Sequence, residues 1–277
     1  MKIKNILVPI DFSDCSINAL RFAIEAAHQL KARLHLFHAY HIPIPVAEMT
    51  LAMDAKIVED FQAKVETNYA ELKEEIPSVT EVTDSFEIEF AFAIDAILKR
   101  AQQSVDLVIM GTKGATGLKE VLMGSLTADV ISKSNIPILA IPEDAQSCKI
   151  KKIVFASDFD KVDDPSCWDI ITAMVKGFSA SLDLLHINPN LEATSVEKAE
   201  EALHLDQHLK EIKHEFRFVI EKDVEKGIND YVSSNSIDLL ILMPKKHSLF
   251  GKLFHKSVTQ KMAYHTHIPL MAFHCES

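Results

Sequence analysis

Four of the seven glycines in this 277-residue chain, Gly111, Gly114, Gly117 and Gly124, fall in the single stretch GTKGATGLKEVLMG. An apolar run, Leu107-Val-Ile-Met110, feeds into them, and Ser125 and Thr127 open a helical stretch just beyond. Glycine recurs where a backbone turns left-handed or approaches a ligand closely. A helix start presents N–H groups with no internal acceptor, and these attract anions. Strand, glycine loop and helix start together suit a phosphate group held by backbone N–H donors, with Lys113 and Lys119 as candidates for added charge. A plainer alternative stays open, in which the glycines only shape a long loop after a buried strand.

The spacing also excludes chemistries. No glycine precedes Lys-Ser or Lys-Thr, so there is no Walker A loop, and no Gly-x-Gly-x-x-Gly follows the first strand. Asp11 is a single carboxylate, and no Ser-His-Asp or paired-acid pattern can be assigned, so no catalytic residue is named. His247, His255, His265, His267, His274 and Cys275 crowd the C-terminal stretch, but their spacings match no zinc motif and no metal ligand is assigned.

Composition bounds the rest. With 48% hydrophobic and 25% charged residues the chain has ample material for a core. A net charge of −11 argues against a nucleic-acid surface, which needs a basic stripe. Cys15, Cys148, Cys167 and Cys275 lack CxxC spacing and read as reduced thiols. The opening apolar run is short and broken by Pro9, and no later run reaches about eighteen residues. The expectation is a soluble cytoplasmic protein with no membrane contact.

The elements that must position the glycine loop repeat along the chain. Ile6-Leu-Val-Pro-Ile-Asp11-Phe12 returns as Ile153-Val-Phe-Ala-Ser-Asp158-Phe159, and Asp106–Ile141 matches Asp238–Phe273 at nine of 36 positions. Two tandem domains are expected, 1–145 and 150–277, joined near Glu143–Lys149. Apolar runs predict strands near 3–10, 34–39, 85–91, 106–111 and 136–141, then near 152–157, 182–187, 215–221, 238–243 and 268–273. Helical spacing over 13–30, after Ser13 or Asp14 as N-cap, and over 54–75 and 93–104 separates the first set. Such alternation implies α/β domains with parallel sheets and right-handed crossovers. The last strand of each half is apolar and would be an exposed edge alone, so the halves are expected to pair there as an intramolecular pseudo-dimer.

The glycine spacing Gly111-x2-Gly114-x9-Gly124-Ser125, with Asn5-Ile-Leu-Val-Pro9-Ile10-Asp11-Phe12-Ser13, Phe37-His-Ala39-Tyr and Ile136-Pro-Ile-Leu-Ala-Ile141-Pro, resembles the universal stress protein family. The resemblance implies two tandem Rossmann-like domains, each a five-stranded parallel sheet of order 3-2-1-4-5. The ligand crevice then lies where the winding reverses, between the ends of the first and fourth strands. It implies an adenine nucleotide, ATP, contacted by Pro9, Ile10, Asp11, Ala39, Met110, Gly111, Gly114, Gly124, Ser125 and Leu126, with any Mg²⁺ held through the phosphates. Asp11 would accept from base or ribose, or cap the following helix, or both; Ile10 departs from the small polar residue common in the family. In the second half Gly111, Gly114, Gly117 and Gly124 become Met243, Lys246, Leu249 and Lys256, leaving Asp158 and Ser257 as counterparts of Asp11 and Ser125. That half reads as degenerate. The implied function is an ATP-binding cytoplasmic stress-response regulator with one working site. A slow ATP hydrolase and a non-binding dimerisation adaptor are the alternatives, a homodimer is left open, and the protein partner is not identified.

Overall fold

The computed structural model describes residues 2–40, 55–113, 124–145, 147–158, 166–189, 205–243 and 267–274. Strand β1 (Asn5–Pro9) leads through helix α1 (Asp14–Leu30) to β2 (Arg33–Tyr40), then α2 (Ala55–Glu75), the short α3 (Val79–Val82), β3 (Thr83–Phe90), α4 (Ala93–Ala101), β4 (Leu107–Gly111), α5 (Ser125–Lys133) and β5 (Ile138–Ile141). The second half repeats the scheme with β6 (Lys152–Ala156), α6 (Ser166–Phe178), β7 (Ser181–Asn188), β8 (His214–Ile220), α7 (Val224–Ser234), β9 (Leu239–Leu242) and β10 (Leu270–Ala272). Every expected strand forms, with ends shifted by at most two residues. The α3 turn is the addition: Ser78-Val79-Thr80 follows Pro77 too briefly to show a helical period.

One ten-stranded sheet runs β3-β2-β1-β4-β5-β10-β9-β6-β7-β8. Within each half all neighbours are parallel in the order 3-2-1-4-5, and the halves meet where β5 and β10 pair antiparallel through Ala140–Leu270, Leu139–Met271 and Ile138–Ala272. Each apolar edge strand thus covers the other, which removes two exposed edges at once. Strands buried on both faces carry continuous apolar runs; Ile6 and Val8 enter one core layer, Leu7 the other. The first layer is shared between halves, since it holds Phe22 and Ala26 of α1 together with Trp168 and Phe178 of α6. These helices touch so closely at Gly177 that a Cβ there would stand 2.2 Å from Leu30 Cδ2.

The duplication is visible in single side chains. Asp106 accepts from Lys4 N (2.8 Å) and Asn5 N (2.9 Å), and its counterpart Asp238 accepts from Lys151 N and Lys152 N (both 2.8 Å). Each carboxylate sets the register of the fourth strand against the first. The connection between the halves lies along α1: Asn18 Nδ2 donates to the Pro142 and Ala145 carbonyls (3.1 Å each), Gln29 Nε2 to the Cys148 carbonyl (2.7 Å), and Glu25 accepts from Cys148 N (2.9 Å). Cys15 and Cys148 are free and buried. Cys167, expected to be a reduced thiol, is instead disulfide-bonded, its partner lying outside the described residues. Spacing along the chain carries no signal for a bridge set by tertiary approach. No helix among the described residues is long and apolar enough to cross a membrane.

Candidate functional site at the ends of β1 and β4

The sheet puts β1 beside β4, with Ile6 opposite Leu107 and Leu7 opposite Val108. Asp11 and Gly111, the first residue of the glycine stretch, therefore come to the same end of the sheet from a hundred residues apart. The contact is direct: a Cβ on Gly111 would stand 2.9 Å from both the carbonyl oxygen and Sγ of Cys15, and 3.1 Å from its carbonyl carbon. Gly111 is a glycine so that the first turn of α1 can lie against the end of β4.

Around Asp11 the chain turns sharply. Phe12 has φ 61°, a left-handed conformation that is costly for a bulky residue and clusters at functional sites. Asp11 is exposed; its Oδ1 accepts from Ser13 N (3.0 Å) and Ser13 Oγ (2.5 Å). Ser13 is the N-cap of α1, its Oγ accepting from Ser16 N at 3.3 Å. The helix cap is thus Ser13 rather than Asp11 or Asp14, and Asp11 orients the capping hydroxyl. Next to this turn His38 Nδ1 lies 2.8 Å from the Ile10 carbonyl, with its ring 5.3 Å from that of Phe12. The second half keeps the bond, His186 Nδ1 lying 3.0 Å from the Ser157 carbonyl. His38 was invisible as a site residue because nothing in its neighbours distinguishes it from an ordinary strand histidine.

Helix α5 starts differently from α1. Its N-cap is Gly124, with φ −71° and ψ 160° and no side-chain cap. The backbone there is ordinary extended chain, open to any residue. A Cβ on Gly124 would meet, among the described residues, only Thr112 O at 3.5 Å and Lys113 Cα at 3.8 Å, which is ordinary contact. Among the described residues, neither torsion nor packing requires this glycine. In the first turn of α5 the N–H groups of Ser125, Leu126 and Thr127 have, among the described residues, no intrahelical acceptor and no capping side chain. Thr127 Oγ1 is turned away to the Gly111 carbonyl (2.8 Å), which ties the helix start to the end of β4. Gly124 N donates to Thr112 O at 2.5 Å and is occupied by the fold, so the donors left for an anion begin at Ser125.

The other expected contacts sort by depth. Ile10 (3% exposed) and Met110 (2% exposed) are core residues, Pro9 is half-buried at the end of β1, and Ala39 and Leu126 pack against the second core layer. Lys113 pairs with Glu143 (3.2 Å) on the connection to the second half. Gly114, Gly117, Lys119, Glu120, Lys246, Leu249, Lys256 and Ser257 lie outside the described residues. Asp158, the counterpart of Asp11, is buried at 7% exposure where Asp11 is open. Of the crowded histidines, His267 lies 3.4 Å from Asp144 and His274 Nε2 lies 3.0 Å from the Ile131 carbonyl in the last turn of α5. Among the described residues no group of three or more His, Cys, Asp or Glu side chains is gathered to hold a metal.

A sequence model of the universal stress protein family matches residues 2–142 and again 149–274. The universal stress protein MJ0577 of Methanocaldococcus jannaschii is 32% identical over 158 residues, spanning 50% of this chain and 94% of that protein. The universal stress protein YxiE of Bacillus subtilis is 28% identical over 146 residues, spanning 49% of this chain and 96% of its own length. A crystal structure of a universal stress protein from Archaeoglobus fulgidus superposes over 99% of both chains, with a TM-score of 0.75 at 15% identity, and so shares the whole tandem fold.

Proposed function

The chain belongs to the universal stress protein family, and from that premise we propose that its first half binds one ATP and that occupancy of this site makes it a cytoplasmic stress-response regulator rather than a catalyst. The observation that carries the reading is the start of α5, tied to the end of β4, where, among the described residues, Gly124 is required by neither torsion nor packing and the first N–H groups have no cap. Three such donors together with the positive end of the helix favour a phosphate chain. Magnesium would enter on the phosphates and lower their repulsion; this chain's own groups orient and hold the nucleotide.

The same geometry argues against efficient turnover. Backbone donors fixed at a helix start hold substrate and transition state alike, and uniform binding does not speed the chemical step. Fast phosphoryl transfer needs a group that positions the attacking water. Asp11, the carboxylate at this edge, is engaged with Ser13. Calorimetric titration of nucleotide-stripped full-length protein with ATP tests the reading. A stoichiometry near one, with hydrolysis far below the roughly 1–10³ s⁻¹ of ordinary enzymes, is expected. A stoichiometry near two, or turnover of several per second abolished by Asp11→Ala, refutes it.

A further inference from the structure

Thr112 follows the last residue of β4 and stands between Gly111 and Lys113. Its main chain is fixed from both sides: its N–H donates to the Ile141 carbonyl (3.0 Å), and its carbonyl accepts from Gly124 N (2.5 Å). The residue is 2% exposed, and its hydroxyl has no hydrogen-bond partner. A buried hydroxyl without a partner is disfavoured, and replacing it with an apolar group of the same shape is neutral or stabilising. The chain nevertheless carries threonine where valine would pack as well.

The other orphaned hydroxyl among the described residues has a local explanation. Thr83 opens β3 where the pairing with β2 shifts register at Leu34 and His35, so its surroundings are irregular. Thr112 sits where β4 pairs in register with β5 as far as Gly111–Ile141, and no such irregularity accounts for it. A second observation is independent of the first. In the repeat, the residue that corresponds to Thr112 is Pro244, so the hydroxyl is missing from the same half in which Met243 and Lys256 replace Gly111 and Gly124. The hydroxyl is thus present in the half that keeps the glycine cluster and absent from the half that lacks it.

We propose that the Thr112 hydroxyl is a positioning group of the nucleotide site, donating a hydrogen bond to a phosphate oxygen. Thr112 is joined by its carbonyl to the N-cap of α5, so its side chain belongs to the same rigid unit as the N–H groups of Ser125, Leu126 and Thr127. A hydroxyl supplied from the same rigid unit as these backbone donors would convert a general anion attraction into a fixed orientation of the phosphate chain. The proposal rests on the nucleotide reading above.

Thr112→Val removes the hydroxyl and keeps the shape, and Thr112→Ser keeps the hydroxyl. Calorimetry on full-length, nucleotide-stripped protein compares ATP with adenosine, alongside melting of the free protein. Thr112→Val is expected to weaken ATP about tenfold, equivalent to about 1.4 kcal/mol. Adenosine binding should stay within about twofold, and the melting temperature of the free protein should hold or rise. Thr112→Ser should retain ATP affinity within about threefold. ATP affinity unchanged in Thr112→Val, equal losses for ATP and adenosine, or a lower melting temperature accounting for the loss each overturn the proposal. Wild-type protein that takes up no ATP overturns the nucleotide reading and this proposal with it, whereas wild-type binding unmatched by any Thr112→Val deficit sinks the proposal alone.

Discussion

Gly111 and Gly124 are both read as site residues, yet the structure gives them opposite jobs, and two substitutions separate them. In Gly111→Ala the added Cβ meets the Cys15 carbonyl oxygen at 2.9 Å and its carbon at 3.1 Å, and main chain cannot step aside as a side-chain tip can. Overpacking of this kind costs about 1–3 kcal/mol. For a chain of this size that is a fall in Tm of about 2–10 °C. In Gly124→Val the backbone torsions, φ −71° and ψ 160°, already suit a β-branched residue, and the nearest described atom lies 3.5 Å from the new Cβ. Loss of a favourable N-cap residue costs about 0.5–1 kcal/mol, and the stiffer unfolded chain returns about 0.4–1 kcal/mol, so stability should barely move. The methyl groups instead stand over the first turn of α5. Loss of one charge-assisted bond from that turn to a phosphate is worth about 1.5–3 kcal/mol, or roughly a 10–150-fold weaker Kd. Differential scanning calorimetry and ATP titration of both variants read the two effects. Gly124→Val that melts like wild type and binds ATP like wild type would refute the cradle. A Gly111→Ala protein with unchanged Tm would refute the packing argument.

Two further predictions concern titratable groups. Burial, with the Arg100 guanidinium as the next cause, holds His35 below the ordinary histidine range, so the unfolded chain takes up this proton more readily than the folded one. The stability it contributes is intact above the unfolded value of ~6.5 and is lost as pH falls below it. Tm should therefore decline as pH is lowered from 7 to 5, and His35→Asn should flatten that slope; an unchanged slope would show that other groups carry it. Burial, followed by the Glu25 charge, pushes the Cys148 thiol up to about 12, so it is neither ionised nor accessible at pH 8. Cys148 should be silent to a thiol-disulfide reagent in the folded protein and react on denaturation, whereas prompt native-state labelling, mapped by mass spectrometry, would show that the connection leaves α1.

Much of this was legible in the sequence because it is periodic or because glycine is scarce. Leu107–Met110 and Ile138–Ile141 read as buried strands since both faces are covered, and the repeat of Ile6–Asp11 at Ile153–Asp158 announced the duplication. The glycine cluster marked the connection from β4 to α5 as the candidate site. It could not say that Gly111 yields to Cys15 while Gly124 yields to nothing described, because that distinction is a distance between residues far apart in the chain. Nor could it reveal that Gly124 N is spent on Thr112 or that Lys113 is paired with Glu143, whereas Ser13, one of the two expected caps of α1, is the one that forms. Each depends on where a donor points after folding. The Cys167 bridge escaped for the same reason.

The second half, which lacks counterparts of Gly111, Gly114, Gly117 and Gly124, still bears on the first. It extends the sheet through β5 and β10, supplies Trp168 and Phe178 to the layer that holds α1, and brings His274 to the Ile131 carbonyl at the far end of α5. The helix whose start is the candidate phosphate site is thus held at its other end by the second half. The connection is likewise bound along α1, the helix whose first turn abuts Gly111. Both elements that shape the crevice in half one are therefore anchored to residues beyond it. A helix start that binds an anion must stay fixed while the ligand comes and goes, and preorganisation of this kind spares the ordering cost at binding. The replacement of the clustered glycines by Met243, Lys246, Leu249 and Lys256 is compatible with these anchoring contacts, which run through β10, α6 and His274. Duplication followed by loss in one copy yields a pair in which one half can serve as the site and the other as its frame.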